Sequence, residues 1–194
     1  NYILGKPQTE NIKVVTSNAS NMLDAIMLSE IDIAHVPATE DNLIKAEKNG
    51  LVAMTANFPG YGYIGINSAN IYDVNVRKGL LCLMNREPAV NTYFGKLAEV
   101  IERPVSKSSW AYPEHAEPAY TYDPDQALAY FRSAGYEQTR VNGKTVLERD
   151  GVQLSLMAGV GGEGTMDHPA ALVFTQMKTD LEEMGGRLEI IDAD

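Results

Sequence analysis

The sequence predicts an α/β fold, a mixed and mostly parallel sheet flanked by helices, on two observations. Its first third alternates strand-like and helix-like segments, the pattern that joins parallel strands through crossover helices. Its last third places tight-turn signals around short strands and then returns to helix and strand. With 194 residues, 44% of them apolar, the chain is long enough to bury a core of its own.

Taken in order, 11–16 alternates polar and apolar residues around β-branched side chains, which predicts a strand. Ser17-Asn18-Ala19-Ser20 then supplies an N-cap for a helix carrying Met22, Leu23, Ala25, Ile26 and Leu28 at helical spacing. Residues 31–36 predict a second strand, Thr39 caps a helix running to Lys48, Asn49-Gly50 closes it, and a third strand follows over 51–56. After Pro59-Gly60, residues 61–67 read as a strand whose recurring glycines signal that something packs closely against the backbone. Helices are expected over 74–84 and 87–94, parted by Asn85-Arg86.

From Gly95 to Tyr122 the periodicity is lost among Pro104, Pro113, Pro118 and several aromatic residues, and a loop this long is usually functional or a crossing segment. Asp123-Pro124 opens a helix through Ala134 that Gly135 terminates. Asn142-Gly143 and Asp150-Gly151 mark turns around strands 145–149 and 152–157, hence a hairpin. A glycine-rich loop, a helix over 169–184, Gly185-Gly186 and a strand over 187–191 complete the chain. The expectation is a single α/β lobe over 1–194, with 95–122 as an irregular loop within it.

Composition excludes several classes. The net charge of −10 and the scatter of the 16 basic residues argue against nucleic acid, which needs clustered Lys and Arg. No apolar run approaches the roughly 20 residues of a membrane span. A lone cysteine, Cys82, sits inside the apolar run 79–84, so it is expected to be a buried thiol and permits no internal disulfide. The chain starts at Asn1 with no signal-like segment, which leads us to expect a piece of a longer protein.

The sharpest literal motif, Gly159-Val-Gly161-Gly-Glu-Gly164, fits G-x-G-x-x-G between a strand and a helix, with Asp192 beyond the next strand. The fit is poor as a dinucleotide site. Thr165 to Pro169 keeps the helix from starting at the second glycine, Asp167 or Thr165 is the better cap, and Asp192 falls too late. The preferred reading is a helix N-terminus able to meet a ligand carboxylate, with His168 beside its free N–H groups; a solvated surface histidine is the plainer alternative.

His35, His115 and His168 lack partners at metal-ligand spacing, and no H-E-x-x-H, G-x-S-x-G or P-loop occurs, so no metal, cofactor or catalytic residue is expected. Tyr61 and Tyr63 share one strand face with Gly65, just after Phe58. They fit either core packing or a cleft wall, where rings give apolar contact and hydroxyls give hydrogen bonds. Trp110, Tyr112, Tyr120 and Tyr122 admit the same two readings, with packing preferred.

These segments in order resemble the C-terminal half of family 5 bacterial extracellular solute-binding proteins, the oligopeptide-, dipeptide- and nickel-binding receptors. Asn1-Tyr2 with Gly5-Lys6-Pro7 resembles the entry to the second large lobe, and Ala25 to Ile33 resembles "AxxLxSGEID" without its glycine. Tyr63-Ile-Gly-Ile-Asn67 with 74–80 is similar to "YxxFN…DVRVRKAL", Asn85-Arg86-Glu87 to "INRE", and 122–127 with Ala134-Gly135-Tyr136 to "YDPEKAKxLLxEAGY".

The resemblance implies a type II periplasmic-binding fold whose two lobes close on a peptide or similar small solute. This chain would be the second lobe, with the first lobe and the returning C-terminal segment absent. It also implies ABC permease partners and a periplasmic or cell-surface, membrane-associated parent, a lipoprotein. Carried over by position, Phe58, Tyr61, Tyr63, Gly65 and Asn67 would line the ligand cleft, and His168 would meet the ligand's C-terminal end. Two other readings are a ligand-sensing domain of a transcriptional regulator with the same fold and, less favoured, a nucleotide-dependent enzyme built on the glycine loop.

Overall fold

A computed structural model describes residues 3, 5–15, 22–56, 59–161 and 168–193. The chain divides into two compact units, Asn1–Met54 and Thr55–Asp194. In the first unit α1 (Met22–Met27) and α2 (Glu40–Lys48) are tied by an ion pair from Lys45 Nζ to Asp24 Oδ1 at 2.6 Å. Thr39 caps α2 as expected, its Oγ1 accepting from the Asn42 N–H at 3.1 Å. Asn49 and Gly50 end the helix, and the φ of +69° at Gly50 shows why glycine stands there.

The strands expected at 11–16, 31–36, 51–56 and 61–67 do not enter any ladder among the described residues. Residues 16–20, which include the first helix's expected cap, lie outside the described residues. Ile12, Val14, Ile33, Val52 and Met54 are exposed. The physical reason is that β-branched alternation marks a segment suited to a pleated, half-buried surface without supplying the neighbouring strand that would bury it.

The second unit contains an extensive core. Its helices are α3 (Val74–Leu83), α4 (Arg86–Phe94), α5 (Pro124–Ser133) and α6 (Pro169–Glu183), with a 3-10 turn over Gly95–Leu97. Asp73 and Asp123 cap α3 and α5, accepting from Asn75 N at 2.8 Å and Gln126 N at 2.9 Å, and Pro124 preorganises the first turn of α5. α3 packs on α5 so closely that a Cβ added at Gly79 would lie 2.5 Å from Phe131 Cε1. Phe131, Leu83, Leu147 and Leu181 are fully buried, each contributing about 1.5–3 kcal/mol of transfer free energy.

β1 (Glu137–Val141), β2 (Lys144–Arg149) and β3 (Val152–Gln153) form an antiparallel sheet. Its turns fall on Asn142-Gly143 and Asp150-Gly151, all four residues having positive φ, as type I′ hairpins require. β1 escapes a sequence reading because its residues are mostly polar and exposed on both faces. The strand expected over 152–157 divides at buried Leu154, whose N–H bonds Leu147 O while its carbonyl accepts from Arg187 N.

Beyond that switch β4 (Ser155–Val160) runs parallel to β5 (Arg187–Asp192), with α6 between them in sequence. The α/β class holds and the strand pairing is mixed. Among the described strands the parallel pairing is confined to β4 and β5.

The loop over 95–122 is irregular after its opening 3-10 turn. Tyr120 packs against the core, edge-on to Tyr130 at 6.5 Å; Tyr112 Oη accepts from the Glu102 N–H at 3.2 Å; Tyr122 Oη donates to Asp180 at 3.0 Å. Trp110 corrects the packing expectation, being 98% exposed. It sits among turns closed by Ser109 N to Ser106 O and Tyr112 N to Ser109 O, whose serine-rich backbone offers the ring nothing apolar to cover it. Cys82 is buried as expected; burial pushes its thiol above the ordinary value, and the nearby charge of Asp123 adds to the shift.

Candidate functional site

Ile64 and Ile66 pack against the core, so the alternation of an extended chain puts Tyr61, Tyr63, Gly65 and Asn67 on the opposite face. Tyr63 is 84% exposed and Tyr61 45%, which removes the core-packing reading for both. Their rings lie 6.5 Å apart, tilted by 59°. A Cβ built on Gly65 would meet Tyr63 Cε2 alone, at 3.9 Å. Among the described residues, no backbone N–H or C=O from Tyr61 to Ile66 is in a hydrogen bond.

Asn67 ends this face by folding into a turn. Its Oδ1 accepts from Ala69 N at 3.0 Å and its carbonyl from Asn70 N and Ile71 N. Phe58 lies outside the described residues.

His168 is the N-cap of α6, its Nδ1 accepting from the Ala170 N–H at 3.1 Å. The cap expected at Thr165 or Asp167 is thus taken by His168 itself; both of those residues lie outside the described ones. With Nδ1 turned to the helix, Nε2 is the ring nitrogen left to meet a partner. Among the described residues no hydrogen bond or ring contact joins His168 to the tyrosine face.

The glycine motif resolves differently from a nucleotide loop. α6 starts at Pro169, well after Gly161. A Cβ at Gly159 would lie 3.0 Å from Ala193 Cβ, and one at Gly161 3.3 Å from Ala193 O, so both glycines answer to the chain leaving β5. Residues 162–164 lie outside the described ones.

Three polar clusters in this unit had no sequence signal beyond their residue types. Arg149 donates to Ala134 O at 2.8 Å and Tyr72 Oη at 3.2 Å, pairs with Asp73 at 3.5 Å and covers the Tyr136 ring at 4.9 Å, tying the hairpin to the start of α3. Arg77 clamps the carbonyls of Ile71 and Tyr72, both at 2.7 Å, and so fixes the chain leaving the tyrosine face.

Asp180, buried in α6, accepts from Tyr122 Oη and from Gln176 Nε2 at 2.8 Å. Desolvation and that carboxylate raise the Tyr122 phenol above its ordinary value. A depression of about 450 Å³ lies in the irregular loop, lined by Glu102, Lys107, Tyr112 and neighbours. Two of its charges are paired, Glu102 with Arg86 at 3.1 Å and Lys107 with Glu99 at 2.6 Å, Glu114 also lines it, and none of its lining residues was predicted as a site.

Residues 1–185 match the bacterial extracellular solute-binding proteins, family 5 Middle, and the chain belongs to that family. It is 24% identical over 136 residues to the dipeptide-binding protein of Escherichia coli (strain K12), covering 69% of this chain and 25% of that protein. Its fold is similar to the oligopeptide-binding protein AppA from Bacillus subtilis, solved with a nonapeptide: TM-score 0.66, 24% identity, 88% of this chain and 33% of that one. An ABC transporter substrate-binding protein from Sinorhizobium meliloti gives a TM-score of 0.64 at 17% identity, over 93% of this chain and 37% of that one. The chain thus spans a minor part of its relatives' length.

Among the described residues no helix is long and apolar enough to cross a membrane, and no group of three His, Cys, Asp or Glu residues could hold a metal ion.

Proposed function

We propose that this chain is one lobe of the substrate-binding component of an ABC importer, a non-enzymatic receptor that captures peptides or similar small solutes in a cleft closed by a second lobe. The observation that carries this reading is the tyrosine face. Tyr61 and Tyr63 stand exposed on an extended segment whose backbone groups make no hydrogen bond among the described residues, so a ligand can lie against the rings and pair with the backbone edge. His168 adds a ring N–H donor at the start of α6, suited to a carboxylate or carbonyl.

Residues 1–194 act together as a single lobe, partnered by the remaining lobe of the parent chain and by the permease subunits, outside the cytoplasmic membrane. The parent protein is held at that membrane. Family membership and the nonapeptide bound in AppA support this reading.

The test uses the complete parent protein. Native mass spectrometry after incubation with a di- to nonapeptide mixture should show mass-resolved peptide adducts, and deletion of the gene should abolish uptake of the peptides retained. A parent chain that carries a DNA-binding domain and retains no peptide would sink the transport reading in favour of a sensor.

A further inference from the structure

From Asn49 to Tyr72 no residue carries a charged side chain, in a chain where 22% of residues do and the net charge is −10. The whole tyrosine face lies inside that neutral stretch. At its centre stands Gly65, and among the described residues nothing demands glycine there. Its φ is outside the positive range, and an added Cβ would make one ordinary contact, with Tyr63 Cε2 at 3.9 Å.

Glycine in an extended segment costs roughly 0.5–1 kcal/mol relative to alanine. A residue that costs stability and relieves no clash within the chain leaves room for something outside it. The missing side chain leaves a notch beside the exposed Tyr63 ring, with the Tyr61 ring 6.5 Å from it.

A notch beside an exposed ring, in a stretch of sequence without charges, discriminates by burial. An aromatic or aliphatic side chain gains ring contact and sheds water at about 25 cal/mol per Å². A charged side chain finds no opposite charge within that stretch and loses hydration if enclosed. The return from a cation over a tyrosine, about 0.5–1 kcal/mol at exposed sites, is too small to offset that loss.

We propose that Gly65 is a specificity-determining residue of the tyrosine face: the space it leaves beside Tyr63 takes an uncharged aromatic or aliphatic side chain of the bound peptide and turns charged ones away. This rests on the reading of the protein as a peptide receptor.

The experiment is calorimetric titration of the complete receptor, stripped of co-purified ligand, with alanine tri- and pentapeptides carrying one Phe, Leu, Lys or Glu. The Phe and Leu peptides should bind at least tenfold more tightly than the Lys and Glu peptides. Gly65→Leu, which fills the notch, should weaken the Phe peptide by tenfold or more and erase the preference; Gly65→Ala should do so in part, with a melting temperature lowered in neither. Equal binding of the four peptides by the wild type, or an unaltered preference in Gly65→Leu, overturns the proposal and leaves the receptor reading standing. Failure of every peptide to bind the wild type overturns the peptide reading and this inference together.

Discussion

The glycines of the helical core and those of the tyrosine face differ in what holds them in place. At Gly79, Gly185 and Gly186 a Cβ would come within 2.5–2.7 Å of Phe131 Cε1, Leu147 N and Leu181 Cγ respectively, and Gly185 also has a φ of +96°. These positions are fixed by interior packing, where close-packed atoms leave no room for a methyl group. At Gly62 and Gly65 a Cβ would enter open space or one ordinary contact. Close approach within the core explains a glycine by the chain's own geometry, whereas on the tyrosine face no described residue supplies that explanation.

Substitutions can break or sharpen that contrast. The largest effect is expected from Phe131→Ala, which removes a fully buried ring from the α3–α5 contact and should cost about 3–5 kcal/mol in urea denaturation. Gly185→Ala should follow at about 3 kcal/mol, since the clashing atoms are backbone and the φ is left-handed. Gly79→Ala should cost about 1–3 kcal/mol in the wild type and markedly less in a Phe131→Leu background; strict additivity of the two changes would mean the ring is not what excludes the methyl group.

Tyr122→Phe should cost about 1 kcal/mol by withdrawing a donor from buried Asp180. It also has a pH signature. The Tyr122 phenol is raised in the folded state by desolvation and by Asp180, so its proton is bound more tightly than in the unfolded chain. The associated stability is present below the ordinary tyrosine value of about 10 and is lost as pH rises through the folded value. Alkaline unfolding curves should therefore be shallower for Tyr122→Phe than for the wild type.

The smallest effect belongs to Gly65→Ala, which should raise stability by about 0.4–1 kcal/mol through the unfolded chain. A loss above 1 kcal/mol in thermal melts would show that the fold does need glycine there.

Much of the second unit is legible in the sequence because its signals are local. Asp73 and Asp123 cap helices through hydrogen bonds to residues two or three positions on, as Thr39 does in the first unit, and Asn142-Gly143 makes its turn by backbone preference alone. The strands over 11–56 are misread because pairing depends on a partner that alternation cannot name. β1 is missed for the converse reason: Gln138 and Arg140 are polar residues held in a ladder by Leu147 and Thr145 across from them.

In the candidate site the tyrosines could be read as a pair on one face, since period two is enough, but their exposure followed from Ile64 and Ile66 turning inward. His168 was legible as a residue near a helix start, and its capping role was not, because histidine is an uncommon cap. Arg149 and Asp180 gave no signal, their partners lying far away in sequence.

The amide of Asp123 donates to the carbonyl of Cys82 at 2.9 Å. The chain therefore leaves α3 and enters α5 through one narrow neck, and everything over 83–122 is an excursion from it. With both ends anchored, doubling the irregular part would add only about 0.6 kcal/mol of closure entropy. The turn carrying Trp110 is thus the place to graft a reporter: an inserted fluorophore or affinity tag there would ride on the lobe without entering its core.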